Sequence, residues 1–126
     1  MTLLLVAIGG FFGAIARYLV DFRVASRVST RLPLGTLVVN VSGSLALGIL
    51  VGTMAAAGGP EWVMTLLGAG FLAAYTTFST WMFETARLSQ RGAIGAAVTY
   101  VAVTAGVGIA AAAAGLLVGV SFGRLL

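Results

Sequence analysis

The chain has 126 residues, 60% of them hydrophobic and 8% charged, with a net charge of +4. That is about a third of the charge of a soluble domain, so a water-soluble globule is excluded. There is no Cys and no His, which removes disulfides, thiol catalysis and thiolate metal sites, and leaves a positive balance made of seven Arg against three acids.

The charges divide the chain. None lies before Arg17, and residues 32–60, 62–83 and 92–123 carry none. Each of these three gaps can hold a helix of about 20 residues, the length that crosses a bilayer. The expected class is an all-α membrane protein, a single domain over residues 1–126. Its four transmembrane helices are expected near residues 2–20, 33–57, 62–86 and 93–119. The first stretch lacks a basic leader and a cleavage site, so it reads as a span rather than a signal peptide.

The first span carries "GGFFG", in which Gly9 and Gly13 form a small-xxx-small pair. "DFRVASRVSTRLP" joins it to the second span, where Ser44, Gly48 and Gly52 repeat at four-residue spacing. Such rows let helix backbones approach closely in lipid, and packing is the expected role of these glycines. Thr36, Asn40 and Ser44 also fall on one face of that helix. Asn40 is the costly member, with two donors and two lone pairs to satisfy. It reads equally as interhelical glue or as a donor on a polar pathway. "AAAGGPE" leads into the third span and "RLSQRG" out of it; Pro33 and Pro60 stand at helix starts, where a missing N–H costs little.

The third span holds "YTTFSTWMFE", residues 75–84. Thr76, Thr77, Ser79 and Thr80 put four hydroxyls where one helical face cannot take them all. The bland expectation is a kinked helix with self-capping threonines. The sharper one is a helix broken within the membrane, where freed backbone groups survive only when buried in protein or lining a polar cavity. In the fourth span Tyr100 and Thr104 make a second polar track. Arg17 and Glu84, both read as lying near helix ends on one side, are a candidate structural ion pair.

Three ordered stretches carry a resemblance: "GGFFGAIARY" (9–18), "PLGTLVVNVSGSLALG" (33–48) and "GFLAAYTTFSTWMFE" (70–84). Together they resemble the signatures of the Fluc/CrcB family of small fluoride channels, over three of four helices. The resemblance implies an antiparallel dimer of four-helix subunits in the cell membrane. It implies passive fluoride export, a break in the third helix, and a central sodium ion (Na+) held by backbone carbonyls of Ala73 and Thr76. It assigns the fluoride path to Thr36, Asn40, Phe78, Trp81, Ser79, Thr80, Tyr100 and Thr104. Two positions depart from the family pattern: Ala73-Ala74 replaces Gly-Gly before the break, so a break of different shape is expected, and Trp81 replaces the second phenylalanine. Fluoride is small and strongly hydrated, so a path must replace water's hydrogen bonds; hydroxyls, an amide and the positive edge of an aromatic ring can do so.

Rival functions fit less well. A proton-coupled multidrug exporter wants a carboxylate at mid-span, whereas Asp21 and Glu84 read as near helix ends and Glu61 as loop. An intramembrane enzyme lacks a nucleophile–base or metal set. A non-conducting subunit of a heteromeric channel stays open. Fluoride, lipid and a second subunit, identical or homologous, are the expected partners; nucleic acid is not. Arg23, Arg27, Arg31, Arg87 and Arg91, with Arg17 nearby, crowd one face, against Arg124 and the N-terminal amine opposite. Cytoplasmic loops carry the Arg excess, so a fixed topology with both termini outside is expected.

Overall fold

The computed structural model describes residues 1–28, 30 and 32–126, and within them the chain is a bundle of four long apolar helices. Arg31, one of the charges counted for orientation, lies outside the described residues. The first span is α1 (Thr2–Arg27) and the second is α2 (Leu34–Ala57). The third, Glu61–Gln90, is composite. It begins as α3 (Glu61–Val63), widens into a π-helix (Met64–Leu72), returns to α4 (Ala73–Tyr75), breaks, and restarts as α5 (Phe78–Gln90). The last span is α6 (Ile94–Gly123).

Three spans run past the ends expected from charge. Polar residues end the membrane-compatible window, but nothing in them stops a helix. Thus α1 continues through Asp21 and Arg23 to Arg27, six residues before Pro33. The third span continues through Arg87 to Gln90, where Gly92 turns the chain at φ 77°.

The bundle is sorted by its glycines. The most extensive packing joins α2 to α6. A Cβ added at Gly48 or Gly52 would strike the α6 backbone at Ala112 and Leu116; one added at Gly115 or Gly119 would strike the α2 backbone at Leu45 and Ile49. The contacts advance together along both helices, so α2 and α6 run parallel. Lipid tails are as apolar as leucine, so close backbone approach and dispersion drive this pairing. Thr53 Oγ1 adds a hydrogen bond to the Gly119 carbonyl at 3.2 Å. Gly9 and Gly13 of α1 do the same against the π-helix, where added Cβ atoms would strike the Leu66 and Phe71 carbonyls. Gly48, Gly52, Gly9 and Gly13 thus serve packing. The two glycine-zipped pairs join α2 to α6 and α1 to the third span.

Candidate functional site

The break follows from where the backbone hydrogen bonds go. Thr76 (φ −76°, ψ 157°) and Thr77 (φ −147°, ψ 123°) are extended, between αR residues on either side. Thr76 closes the first half, its amide and Oγ1 both donating to the Leu72 carbonyl at 3.0 Å. Thr77 opens the second half as N-cap of α5: its Oγ1 accepts from the Thr80 amide at 3.2 Å. Such a cap contributes about 1 kcal/mol. The Thr77 hydroxyl donates on to Thr80 Oγ1 at 3.0 Å, with Ser79 Oγ 3.4 Å away. The helix is therefore broken, and its threonines cap both ends.

Two backbone groups of Thr77 remain, and Asn40 takes both. Its Nδ2 donates to the Thr77 carbonyl at 2.9 Å, and its Oδ1 accepts from the Thr77 amide at 2.8 Å. The side-chain amide pairs with the extended residue as a neighbouring strand would. The alternatives of glue and donor are not exclusive, since Asn40 keeps one N–H beyond this pair. Asn40 is positioned by α2, whose next turn packs Gly43 against Thr76 and Tyr75. Tyr75 is fixed in turn by Ser42 at 2.9 Å and by stacking on Phe71 at 5.9 Å.

These diversions leave particular carbonyls bare. In an unbroken helix the Thr77 amide would donate to Ala73 and the Thr80 amide to Thr76. Here they go to Asn40 and to Thr77 Oγ1. Ala73 and Thr76 are thus two of the four carbonyls, residues 73–76, that the break deprives of their helical donors. The substitution of Gly-Gly by Ala73-Ala74 does not demand a new backbone shape: Ala73 is αR (φ −64°, ψ −36°), and among the described residues no non-glycine has positive φ.

Beside the break lies an open groove of about 540 Å³. Asn40, Ala73, Thr76, Phe78, Trp81 and Thr104 line it, and no charged side chain does. Phe78 is 70% exposed on the single chain and meets Trp81 edge-on, 5.8 Å between ring centroids at 87°. Ser79 and Thr80 sit on the α5 side of the cap and do not border this groove.

Thr36, Tyr100 and Glu84 form a second cluster. Tyr100 is fully buried, and its hydroxyl donates to Glu84 Oε2 at 2.7 Å. Thr36, Asp21 and Arg87 are the other groups near that carboxylate. The expected pair between Arg17 and Glu84 is not formed. Because α1 runs on to Arg27, Arg17 stands about 15 Å inside its end, and the α1 residue that comes near Glu84 is Asp21, one turn later. Glu84 likewise is not at a helix end but six residues inside α5. It borders a smaller cleft of about 250 Å³ with Arg87, Arg91 and Thr30.

The sequence analysis gave Thr77 no site role, although the structure turns on it. The signal was legible in part, because Thr is a favoured N-cap residue wherever a helix restarts. The π-helix had no such signal.

The fold and site define a multi-pass membrane protein whose third span is broken in mid-course beside an uncharged groove. The sequence profile described as "CrcB-like protein, Camphor Resistance (CrcB)" matches residues 4–116, and the chain belongs to this family. Relatives named "Fluoride-specific ion channel FluC 1" are 47% identical in Nocardia farcinica, over 92% of this chain and 80% of the relative. In Geobacillus kaustophilus the figures are 50% identity over 80% and 83%. "Fluoride-specific ion channel FluC" of Acidobacterium capsulatum is 40% identical over 94% and 96%.

Replacing Asn40 by Leu leaves the Thr77 amide and carbonyl without partners, at about 1–3 kcal/mol each. The expected loss of stability is about 2–6 kcal/mol, read from unfolding in detergent. An unchanged unfolding midpoint would show that Asn40 does not hold the break.

Proposed function

We propose that the chain is a subunit of a fluoride-selective channel through which fluoride leaves the cytoplasm passively. The observation that carries this reading is the broken span itself. It sits beside a groove with hydrogen-bond donors and aromatic edges but no fixed charge. Its family relatives are named fluoride-specific ion channels. A small anion needs donors to replace its hydration, and a lysine or arginine on the path would hold it too tightly to conduct.

In this reading Asn40, Phe78, Trp81 and Thr104 border the path, with Ser79 and Thr80 beside it on α5. Thr36, Tyr100 and Glu84 order the stretch toward the cleft at Arg87 and Arg91. The residues that would hold a central sodium ion are Ala73 and Thr76, through the carbonyls whose helical donors are turned away. Its charge would offset the negative end of the first half-helix.

A second subunit fits this reading. Irregular backbone is not tolerated against lipid, and Ala73, Phe78 and Ser79, the helical residues that flank the break at Thr76 and Thr77, are exposed on the single chain. An antiparallel copy or homologue would cover them while bringing two breaks together. A multidrug-exporter reading gains no support from the groove, which holds no carboxylate. A subunit that conducts only within a heteromer is the remaining alternative.

Purified protein in liposomes should release fluoride and retain chloride. Phe78→Ile should lower fluoride release about tenfold, because it keeps the apolar bulk and removes the positive ring edge. Equal passage of chloride, or no release above empty liposomes, contradicts the channel reading. Full activity of a folded Phe78→Ile protein would make that ring a packing group.

Orientation is separately testable. The charge bias across the ends predicts one fixed topology with the α1–α2 and α5–α6 connections cytoplasmic, and hence a paired homologue. The chain has no Cys, so single cysteines at Thr2 and Ser89 report orientation in intact cells. Labelling of Thr2→Cys alone from outside is expected. Equal labelling of both would indicate dual topology and a homodimer.

A further inference from the structure

The turn of α2 that holds Thr77 also holds a residue on the other side of the break. Tyr75 Oη lies 2.9 Å from Ser42 Oγ. A serine hydroxyl has one proton to give, and Ser42 donates it to the Val38 carbonyl one turn back, at 2.7 Å. The phenol is therefore the donor to Ser42, and the chain of bonds runs from Tyr75 through Ser42 into the α2 backbone. The ring is held as well as the hydroxyl. It stacks on Phe71 at 5.9 Å, with 11° between the planes, and the Phe71 carbonyl lies against Gly13 of α1. Gly43 closes α2 onto the same ring, so that an added Cβ would strike Tyr75 and Thr76 together.

The two halves of the broken span are tied to this turn separately. The second half is tied at its first residue, Thr77, by Asn40. Among the described residues, the bond from Tyr75 is the only side-chain hydrogen bond between the first half, residues 61–75, and another helix. The ties differ in what they govern. The four carbonyls freed by the break belong to residues 73–76, the end of the first half and the residue that closes it. Asn40 grips the chain beyond them, whereas Tyr75 grips it from among them. A helix end that has lost its continuation frays unless something outside the helix holds it.

Resting on the sodium site of the channel reading, we infer that Tyr75 is a positioning residue, whose hydroxyl, seated on Ser42, holds the end of the first half-helix and so keeps the freed carbonyls in place for the cation. Tyr75 acts through the backbone it anchors, not through its own oxygen. Backbone carbonyls serve an ion by replacing its hydration shell together, and a frayed end does not present them together.

An ion that binds the folded protein raises its stability by an amount set by its affinity. The test reads the unfolding midpoint in detergent, at one protein concentration, across a sodium chloride series in which N-methylglucamine chloride keeps the ionic strength constant. Sodium should stabilise the native chain. Tyr75→Phe keeps the ring on Phe71 and removes only the oxygen; it should weaken the apparent sodium affinity about fivefold, the scale of one neutral hydrogen bond. Ser42→Ala should do the same, and the double variant should lose no more than either single one, because the two oxygens act as one bond. A bond that serves folding alone would lower the midpoint equally in both salts and leave the sodium increment intact, which overturns the inference. Losses that add in the double variant overturn the pairing of Tyr75 with Ser42. A native chain indifferent to sodium overturns the cation site and this inference with it. Fluoride release from liposomes is measured alongside. Release by the native chain, with a sodium increment that survives Tyr75→Phe, sinks the inference and leaves the channel standing. A sodium increment lost in Tyr75→Phe, in a chain whose liposomes release no fluoride, upholds the positioning role and overturns the channel.

Discussion

The structure depends on one side chain standing in for a strand. A helix cannot stop inside a membrane unless its freed amides and carbonyls find partners. Asn40 meets that demand at Thr77 with both halves of its amide. One turn on, Gly43 lets α2 close onto Thr76 and Tyr75 beside the break. Thr76 and Thr77 finish the ends of the two half-helices with their own hydroxyls. Each part is of ordinary strength, and together they satisfy Thr77 and cap both half-helices.

The break costs the third span four of its own i→i−4 bonds, those from the amides of residues 77–80. The Ala73 and Thr76 carbonyls are among those that lose their donors. The groove beside them gains Phe78 and Trp81, which a continuous helix would rotate elsewhere. A path with donors but no formal charge is consistent with an anion that must enter and leave quickly. The charged residues stand instead around the cleft at Glu84, Arg87 and Arg91.

Much of this was legible in the sequence because membranes impose strong rules. Gaps between charges located four spans, and crowded hydroxylic residues located the break. The polar faces singled out Asn40, Tyr100 and Thr104. What charge could not report was helix length outside the hydrocarbon, so α1 and α5 ran past their expected ends. That error carried the Arg17–Glu84 pair with it, since both residues were taken to lie at helix termini. In the structure Tyr100 holds the carboxylate. The π-helix, whose Leu66 and Phe71 carbonyls lie against Gly9 and Gly13, had no signal in its own sequence. Alanines before the break proved compatible with it because the turn is made at Thr76 and Thr77 in backbone regions open to any L-residue.

The central claim is that Asn40 closes the backbone at Thr77. Residue-resolved amide hydrogen exchange in nanodiscs, comparing the native chain with Asn40→Ala, tests it most directly, since Thr77 borders a groove open to water. The account predicts that the Thr77 amide is protected in the native chain and loses that protection in the variant, while amides along α2 and α6 keep theirs. A Thr77 amide that exchanges as fast in the native chain as in the variant would contradict it.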